Sequence, residues 1–350
     1  MTNGTRLRAL PKAELHLHFE GTARAARWRA RQEGRPLPEW ESHARAVQAM
    51  AGKPLDRLRA LLQPIEQPGE DADPEVFEAL VGDLVVGKQD EGVRYLEVKF
   101  GPQRAFDDWF LERFRRGCER AAAAGADMRV RPLITLNLTR PEVRASLPEL
   151  LARLEKLAGE GLAGVDLIPE PYDRPPPLRI VAPALERLAV AGLGIAAHAG
   201  EVNAATLPAV LDLGLVDRIS HGVQAAYDRR LLGRVLESGV TLDICITSNV
   251  VLGVVASVRE HPVSRLALAG VPFTLGTDNP LLLATDMPRE LAAGLEAGLL
   301  LGDLRAATLA GADAAFLPPE EGAALRERLA LEWDAAVWRE ATAAGVGGAP

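Results

Sequence analysis

A regular alternation of apolar, strand-like segments with helical segments constrains the fold of this 350-residue chain more than any other feature. Such alternation is typical of parallel strands that are joined by right-handed helical crossovers. Eight units of this kind favour a closed barrel over an open sheet. The predicted fold class is therefore α/β, a (β/α)8 TIM barrel with extra helices. The predicted strands are 13–21, 93–100, 128–136, 163–168, 193–198, 218–221, 240–245 and 271–276.

The chain is predicted to form one domain over residues 1–350, with a helical insertion at about 22–75 and further helices at about 285–345. A hydrophobic fraction of 48% is ample for the core of such a domain. An open dinucleotide-binding sheet is excluded, because the first strand ends at Gly21 without a G-x-G-x-x-G turn. The predicted helices between the strands are 75–91, 107–124, 141–158, 180–191, 228–238 and one that ends near 269.

Composition excludes several classes of partner. The net charge of −8 is made of interspersed acidic and basic residues, with no basic stripe that would indicate nucleic-acid binding. Cys118 and Cys245 lie far apart in sequence, which argues against a disulfide scaffold and fits a reducing cytoplasm. The sequence has no secretory signal pattern and no apolar run of about 18 residues. We expect a cytoplasmic protein without membrane or nucleic-acid partners.

The first predicted strand carries two histidines, His16 and His18, one residue apart. Residues i and i+2 of a strand point to the same side, so both imidazoles can face one metal ion. The alternative interpretation is a strand whose histidines alternate outward by coincidence. The rest of the chain favours the metal site.

Polar residues recur where the predicted strands end, which is where barrels of this kind carry their chemistry. Four of the six histidines of the chain lie there, and we interpret the other two, His43 and His261, as ordinary surface or packing residues. The set at the strand ends is His16, His18, Glu97, Lys99, Asn137, Asp166, Glu170, His198, Glu201, His221, Asn249, Asp278 and Asn279.

Three imidazoles and one carboxylate of this set, from His16, His18, His198 and Asp278, suit a divalent metal with one position left open. Zinc fits these donors, and iron or manganese fits them as well. Glu201 lies where it could reach a bound substrate, and His221 is a candidate proton carrier.

Each of these residues also has a structural interpretation. Glu201 could stabilise the start of the next helix, His221 could be a core histidine, and Asp278 could cap the following segment. Asp166 and Glu97 are interpreted as supporting residues, and Cys245 as a buried apolar residue.

Five motifs together resemble the adenosine deaminase family of the amidohydrolase superfamily. The resemblance implies a hydrolytic deaminase of cyclic amidines with one Zn²⁺ per chain, bound by His16, His18, His198 and Asp278. It further implies that Glu201 protonates a purine ring nitrogen, and that His221 and Asp278 orient and deprotonate the metal-bound water. The motifs are PKAELHLHFEG (11–21), HAGE (198–201), RISHG (218–222), TSN (247–249) and TDNP (277–280).

The sequence departs from the family pattern at positions that contact substrate in the family. Asn279 stands where the family usually has a second consecutive aspartate. Pro169 stands near the position of a family glycine whose backbone N–H contacts the purine. Phe19 and Glu20 follow the HxH motif, at a position that lies near the nucleoside sugar in the family. The loop 172–177 is unusual for adenosine deaminases. The resemblance therefore makes Phe19, Glu20, Pro169 and Asn279 the candidate substrate-binding residues.

The leading hypothesis is a deaminase of an adenine-bearing nucleoside, either aminodeoxyfutalosine of menaquinone synthesis or adenosine, that yields the inosine-type product and ammonia. Adenine or another amino-heterocycle is the alternative substrate. A non-deaminating amidohydrolase with two metals bridged by Lys99 is a second class, and an inactive binding protein is a third. Zinc deaminases with thiolate ligands are excluded, because the chain has no C-x-x-C.

Overall fold

Eight parallel strands surround the centre of the molecule in the order in which they occur along the chain, β1 to β8. The computed structural model describes residues 3–22, 33–34, 40–65, 73–172 and 174–343. Together with the helices outside it, this sheet is the (β/α)8 barrel predicted from the sequence. The strands are β1 Lys12–Glu14, β2 Val93–Phe100, β3 Arg129–Leu136, β4 Gly164–Leu167, β5 Gly194–Ala199, β6 Arg218–His221, β7 Thr241–Ile244 and β8 Phe273–Leu275.

Helices cover the outside of the sheet and extend the chain at both ends. In the described residues they are α1 Asn3–Ala9, α2 Glu41–Ala49, α3 Pro54–Leu62, α4 Pro74–Asp90, α5 Phe110–Ala123, α6 Pro141–Ala145, α7 Leu147–Glu160, α8 Ala182–Val190, α9 Thr206–Leu211, α10 Arg229–Ser238, α11 Ile246–Val251, α12 Val263–Leu268, α13 Met287–Glu296, α14 Leu301–Asp313 and α15 Pro319–Ala343. Short 3₁₀ turns are Gln63–Ile65, Pro102–Phe106, Leu178–Ile180, Val223–Tyr227 and Val258–Glu260. None of the described helices is both long and apolar enough to span a bilayer.

Two predicted elements differ from the structure. The segment 141–158, predicted as one helix, is divided into α6 and α7 at Ser146. Pro148 explains the break, because its ring lacks an N–H and would clash with a carbonyl of the preceding turn. The predicted first strand, 13–21, is also too long, since β1 ends at Glu14 and the chain continues in single bridges to two different neighbours.

These bridges close the barrel. The His18 N–H donates to the carbonyl of Asp278 at 2.7 Å, and the Asp278 N–H donates to the carbonyl of His16 at 3.0 Å. On the other side, Leu17 and Phe19 exchange backbone hydrogen bonds with Lys99. The segment after β1 thus alternates between β8 and β2, which is why it is no longer a regular strand.

The apolar core lies between the sheet and the helices, and aromatic rings form one part of it. The Phe19 ring lies 4.8 Å from that of Phe100 on β2 and 5.2 Å from that of Phe77 on α4, centre to centre. Phe110 on α5 extends the cluster. Such offset and tilted ring pairs add to the free energy of burial. Phe19 therefore joins the first motif to the packing of the barrel against α4 and α5.

Charged groups inside the barrel are paired with one another. The Arg218 guanidinium on β6 contacts Glu97 of β2 and lies 3.3 Å from an Asp243 carboxylate oxygen on β7. The central carbon of the Arg218 guanidinium lies 3.8 Å from the ring centre of Phe316, and this ring covers the end of the barrel where Arg218 lies. Pairing is required, because an isolated charge in such a site would cost several kcal/mol.

The predicted insertion after the first strand is helical where the structure describes it. Its helices α2 and α3 contribute Val47 and Leu61 to an apolar cluster with Leu282 and Leu283, which follow β8. The insertion therefore packs near the carboxyl end of the barrel. Its residues 23–32, 35–39 and 66–72 lie outside the described part of the chain, as do Asp173 and the tail 344–350.

Replacing Phe19 by alanine should lower the free energy of unfolding by about 3–5 kcal/mol, because a ring with 0% exposure leaves a cavity in the aromatic cluster. Urea unfolding measures this loss. Phe106→Ala is the matched control: its ring is 40% exposed, so the free energy should change by no more than about 0.5 kcal/mol. A loss for Phe19→Ala no larger than the control's would contradict the packing role.

Candidate active site and metal centre

The candidate site lies at the carboxyl ends of the strands, as expected for this fold. His16 and His18 follow β1, His198 lies on β5, His221 ends β6 and Asp278 follows β8. Four of these five side chains are less than a tenth exposed, and His18 is slightly more open. The structure thus brings together residues that are up to 262 positions apart in sequence.

Three pairs among the four predicted metal ligands have donor atoms at the spacing that a metal needs. The Nε2 atoms of His18 and His198 are 3.4 Å apart. Asp278 Oδ1 lies 3.5 Å from His16 Nε2 and 3.6 Å from His18 Nε2. Bonds of about 2.0–2.1 Å to a tetrahedral metal place neighbouring ligand atoms about 3.3–3.4 Å apart. The observed separations are close to these values.

The protonation states of the histidines also suit a metal. Burial lowers the pKa of His16 well below its ordinary value and lowers that of His18 to about 4, so both are neutral at pH 7. Among the described residues, neither ring nitrogen of His16 has a hydrogen-bond partner, although both are buried. A buried nitrogen without a partner is costly, and a metal ion would supply a partner for Nε2, the ring nitrogen that lies toward Asp278. The residues present therefore fit a divalent metal.

Asp166 lies beside Nδ1 of His198. One of its carboxylate oxygens lies 3.1 Å from Nδ1 of His198, which leaves Nε2 to face His18. Burial alone would raise the pKa of Asp166, but His198 and Lys99 lower it well below its ordinary value. A carboxylate behind a metal-binding imidazole sets its tautomer and raises its basicity. This position agrees with the supporting role expected for Asp166.

Asp278 is held by side chains on both of its oxygens. Ser248 donates to Oδ2 at 2.8 Å, and the Asn279 amide donates to Oδ1 at 2.7 Å. Burial alone would raise the pKa of Asp278, but His16 and the other imidazoles lower it well below its ordinary range. Its backbone has a φ of 61°, and that of His221 is 69°. Such left-handed conformations are rare for residues other than glycine and concentrate at functional sites.

Glu201 is buried beside the metal-ligand cluster. Its Oε1 lies 3.5 Å from Nε2 of His221, and its Oε2 accepts a hydrogen bond of 2.8 Å from the Tyr172 hydroxyl. Burial, with the nearby negative charge of Asp278, raises the pKa of Glu201 to about 8. Burial lowers the pKa of His221 to about 3. At neutral pH the site therefore holds a protonated carboxyl next to a neutral imidazole, a pairing suited to general acid–base chemistry.

Two of the candidate substrate-binding residues take part in packing or backbone contacts. The Phe19 side chain lies in the aromatic core, so the structure gives it a packing role and no exposed surface. Glu20 accepts a hydrogen bond of 2.7 Å from the N–H of Gly101, which ties it to the end of β2. Asn279 keeps a buried Oδ1 that has no partner among the described residues.

Pro169 lies buried at the end of β4, where the family glycine would offer an N–H. The neighbouring donors are committed: the Ile168 N–H bonds to the Leu136 carbonyl at 2.9 Å, and the Glu170 N–H bonds to Thr139 Oγ1 at 2.8 Å. Residues 168–170 therefore leave no N–H for a purine.

Lys99 does not occupy the position of a metal bridge. Its ammonium group donates to Ser220 Oγ at 2.7 Å and lies 3.3 Å from Asp166 Oδ1, in a fully buried ion pair. A lysine engaged in this way supports Asp166 rather than joining two metals. This contact gives no support to a pair of metals bridged by Lys99.

Three residues of the site were not singled out from the sequence: Tyr172, Ser248 and Glu290. Ser248 belongs to the TSN motif, which contributed to the family resemblance but was assigned no chemical role. Glu290 accepts hydrogen bonds from the N–H groups of Ile246 and Thr247 at 3.0 and 3.2 Å and so fixes the start of α11, which carries Ser248. Nothing local in the sequence marks this contact of Glu290 with α11, because the two N–H groups lie more than 40 positions away.

The chain is similar in sequence to known deaminases. The family model described as adenosine deaminase matches residues 11–332. An aminodeoxyfutalosine deaminase from Acidothermus cellulolyticus is 32% identical over 317 residues, which are 83% of this chain and 84% of that protein. An adenine deaminase from Chelativorans sp. (strain BNC1) is 30% identical over 335 residues, 91% of this chain and 98% of that protein.

A solved structure shares the fold at lower identity. A zinc-bound amidohydrolase from Burkholderia ambifaria superposes with a TM-score of 0.76 at 22% identity, covering 96% of this chain and 94% of its own. From the family match, the chain belongs to the adenosine deaminase family of the amidohydrolase superfamily, and it is a metal-dependent hydrolytic deaminase.

Proposed function

We propose that this enzyme removes the 6-amino group of an adenine-bearing nucleoside and releases ammonia, with aminodeoxyfutalosine as the preferred substrate and adenosine as the next. The observation that carries the proposal is Glu201, a buried carboxyl that keeps its proton at pH 7 beside the metal-ligand cluster. A 6-aminopurine needs a proton on its ring nitrogen when water adds to the neighbouring carbon. A neutral carboxyl in this position can donate that proton.

The residues of the chain divide the reaction between them. Glu201 donates its proton from the side that faces His221 to the ring nitrogen of the purine. The neutral His221 imidazole accepts a hydrogen bond from the attacking water, and the ionised Asp278 carboxylate orients it. As the water oxygen bonds to the purine carbon, one water proton passes to His221, which gives it to the amine. The carbon–amine bond then breaks and ammonia leaves, and the remaining hydroxyl proton returns to Glu201 as the carbonyl of the product forms. Burial of these groups excludes other water from the reacting atoms.

We propose one Zn²⁺ per chain, held by His16, His18, His198 and Asp278. The donor set, its spacing and the neutral imidazoles support zinc, and the zinc-bound neighbour of the same fold agrees with it. When bound, the metal acts as a Lewis acid that makes a water-derived nucleophile available near neutral pH.

The relatives support the nucleoside proposal and favour one alternative. One relative is named for aminodeoxyfutalosine, which is an adenine nucleoside with a large 5′ substituent. The changed residues at Glu20, Pro169 and Asn279 fit a substrate that differs from adenosine. The adenine deaminase relative, which covers more of the chain, makes adenine the second candidate substrate.

A panel of three substrates tests the assignment. We expect ammonia release with the highest kcat/KM on aminodeoxyfutalosine, a lower value on adenosine and the lowest on adenine. An enzyme-coupled ammonia assay on purified, zinc-loaded protein measures all three. Faster turnover of adenine than of either nucleoside would establish the second candidate, and no ammonia from any of them would refute the proposal.

Glu201→Gln should keep its metal and fold but lose about 10²–10⁴-fold in kcat, because glutamine preserves the shape and cannot donate the proton. Glu237→Gln, at an exposed position of α10, is the control and should match the wild type. Steady-state kinetics and elemental analysis on both variants provide the readout. A Glu201→Gln enzyme with unimpaired kcat would rule out the acid role.

His16→Ala should lose most of the bound zinc, since it removes one of four ligand atoms. The control is His43→Ala, because Nε2 of His43 lies 3.2 Å from the Leu61 carbonyl, away from the metal-ligand cluster. This variant should keep one full equivalent of zinc per chain. Elemental analysis after gel filtration compares the two. Equal zinc content in both variants would contradict the proposed ligand set.

A further inference from the structure

Tyr172 lies on the loop after β4, outside every motif that identifies the family, and it contacts the proposed catalytic acid. Its hydroxyl donates a hydrogen bond of 2.8 Å to Oε2 of Glu201. The ring is partly buried, while the Glu201 side chain is almost fully buried. The partner of a catalytic acid influences both where the acid's proton lies and how well the ionised acid is stabilised.

The loop that carries Tyr172 is tied to the neighbouring β3 loop. The Glu170 N–H donates to Thr139 Oγ1 at 2.8 Å, and Arg140 Nε donates to Glu170 Oε2 at 2.9 Å. Arg140 also contacts the second oxygen of Glu170, which makes the pair bidentate. A bidentate pair holds a defined geometry even where it is exposed. Tyr172 is therefore presented from a loop with fixed neighbours, two residues after this anchor.

The two oxygens of Glu201 have different surroundings. Oε2 accepts from Tyr172, and Oε1 faces Nε2 of His221 at 3.5 Å. The backbone carbonyl of Glu201 accepts from Gln224 Nε2 at 3.1 Å, which fixes the main chain below the carboxyl. A carboxyl oxygen that already accepts a strong hydrogen bond is a poor place for the acid proton. The proton is then left on Oε1, on the side of His221.

We propose that Tyr172 is a positioning residue for the deamination: it holds the Glu201 carboxyl so that the acid proton lies on Oε1, and it stabilises the carboxylate that remains after transfer. The proton moves from Oε1 to the purine ring nitrogen, and Tyr172 keeps its own proton throughout. The tyrosine hydrogen bond strengthens as negative charge develops on Glu201, so its contribution is larger in the transition state than in the ground state. This inference rests on the proposed function.

Tyr172→Phe removes only the hydroxyl and tests the inference. We expect kcat to fall by about 10- to 100-fold, as for loss of a hydrogen bond to a charged group, with KM within about twofold of the wild type. Zinc content and melting temperature should not change, because the ring and the loop anchor remain. Steady-state ammonia release on the best substrate of the panel, elemental analysis and thermal unfolding are measured on the same preparation.

Tyr95→Phe is the matched control. Tyr95 also donates from its hydroxyl to a buried carboxylate, Glu97 Oε1 at 2.7 Å, but within the ion-pair network inside the barrel. This variant should lower the melting temperature without a comparable loss of kcat. If Tyr95→Phe and Tyr172→Phe lose kcat equally, the effect comes from general destabilisation and the inference is overturned.

A double-mutant cycle with Glu201→Gln separates positioning from an independent effect. If Tyr172 acts through Glu201, Tyr172→Phe should cost no more than about twofold in single-turnover rate once Glu201 cannot donate a proton. Additive losses would overturn the inference, as would a kcat for Tyr172→Phe equal to the wild type. A wild-type enzyme that releases no ammonia from the panel would instead refute the proposed function, which keeps the two failures distinct.

Discussion

Two backbone hydrogen bonds between the segment 16–18 and Asp278 hold together both the barrel and its chemistry. They join the first strand to the last, and without them the sheet would have two open edges. The same residues carry three of the four proposed metal ligands. Closure of the barrel and assembly of the site therefore depend on the same residues, because the backbone groups that pair between the first and last strands position the side chains beside them.

Burial acts on every titratable group of this site, and the neighbours decide the outcome for each. It keeps His16, His18 and His221 neutral, which leaves their nitrogens free to bind a metal or accept a proton. It keeps Glu201 protonated, with a pKa of about 8. Asp278 is equally buried, but its pKa lies well below its ordinary range, because His16 lies beside it and Ser248 and Asn279 donate hydrogen bonds to its two oxygens. One low-dielectric site thus holds an acid and a carboxylate at the same pH.

The strand ends were predictable from the sequence because parallel strands follow simple periodic patterns and carry their chemistry at one end. His16, His18, His198, His221, Glu201 and Asp278 all follow from that rule together with the motifs. Tyr172 and Glu290 do not, since their contacts depend on how a loop or a distant helix packs. Phe19 lies next to the HxH motif, which suggested a substrate contact, and the structure shows its buried ring packed against Phe77 and Phe100.

The sequence by itself determined the alternation of strands and helices, the types of donor at the strand ends and the family to which the chain belongs. These properties are local, because each depends on residues only a few positions apart. The tertiary structure decided that β1 is short, that Lys99 pairs with Asp166, and that Tyr172 meets Glu201. It also decided the protonation states. Distances across a closed barrel and the degree of burial depend on the whole chain, and no local pattern encodes them.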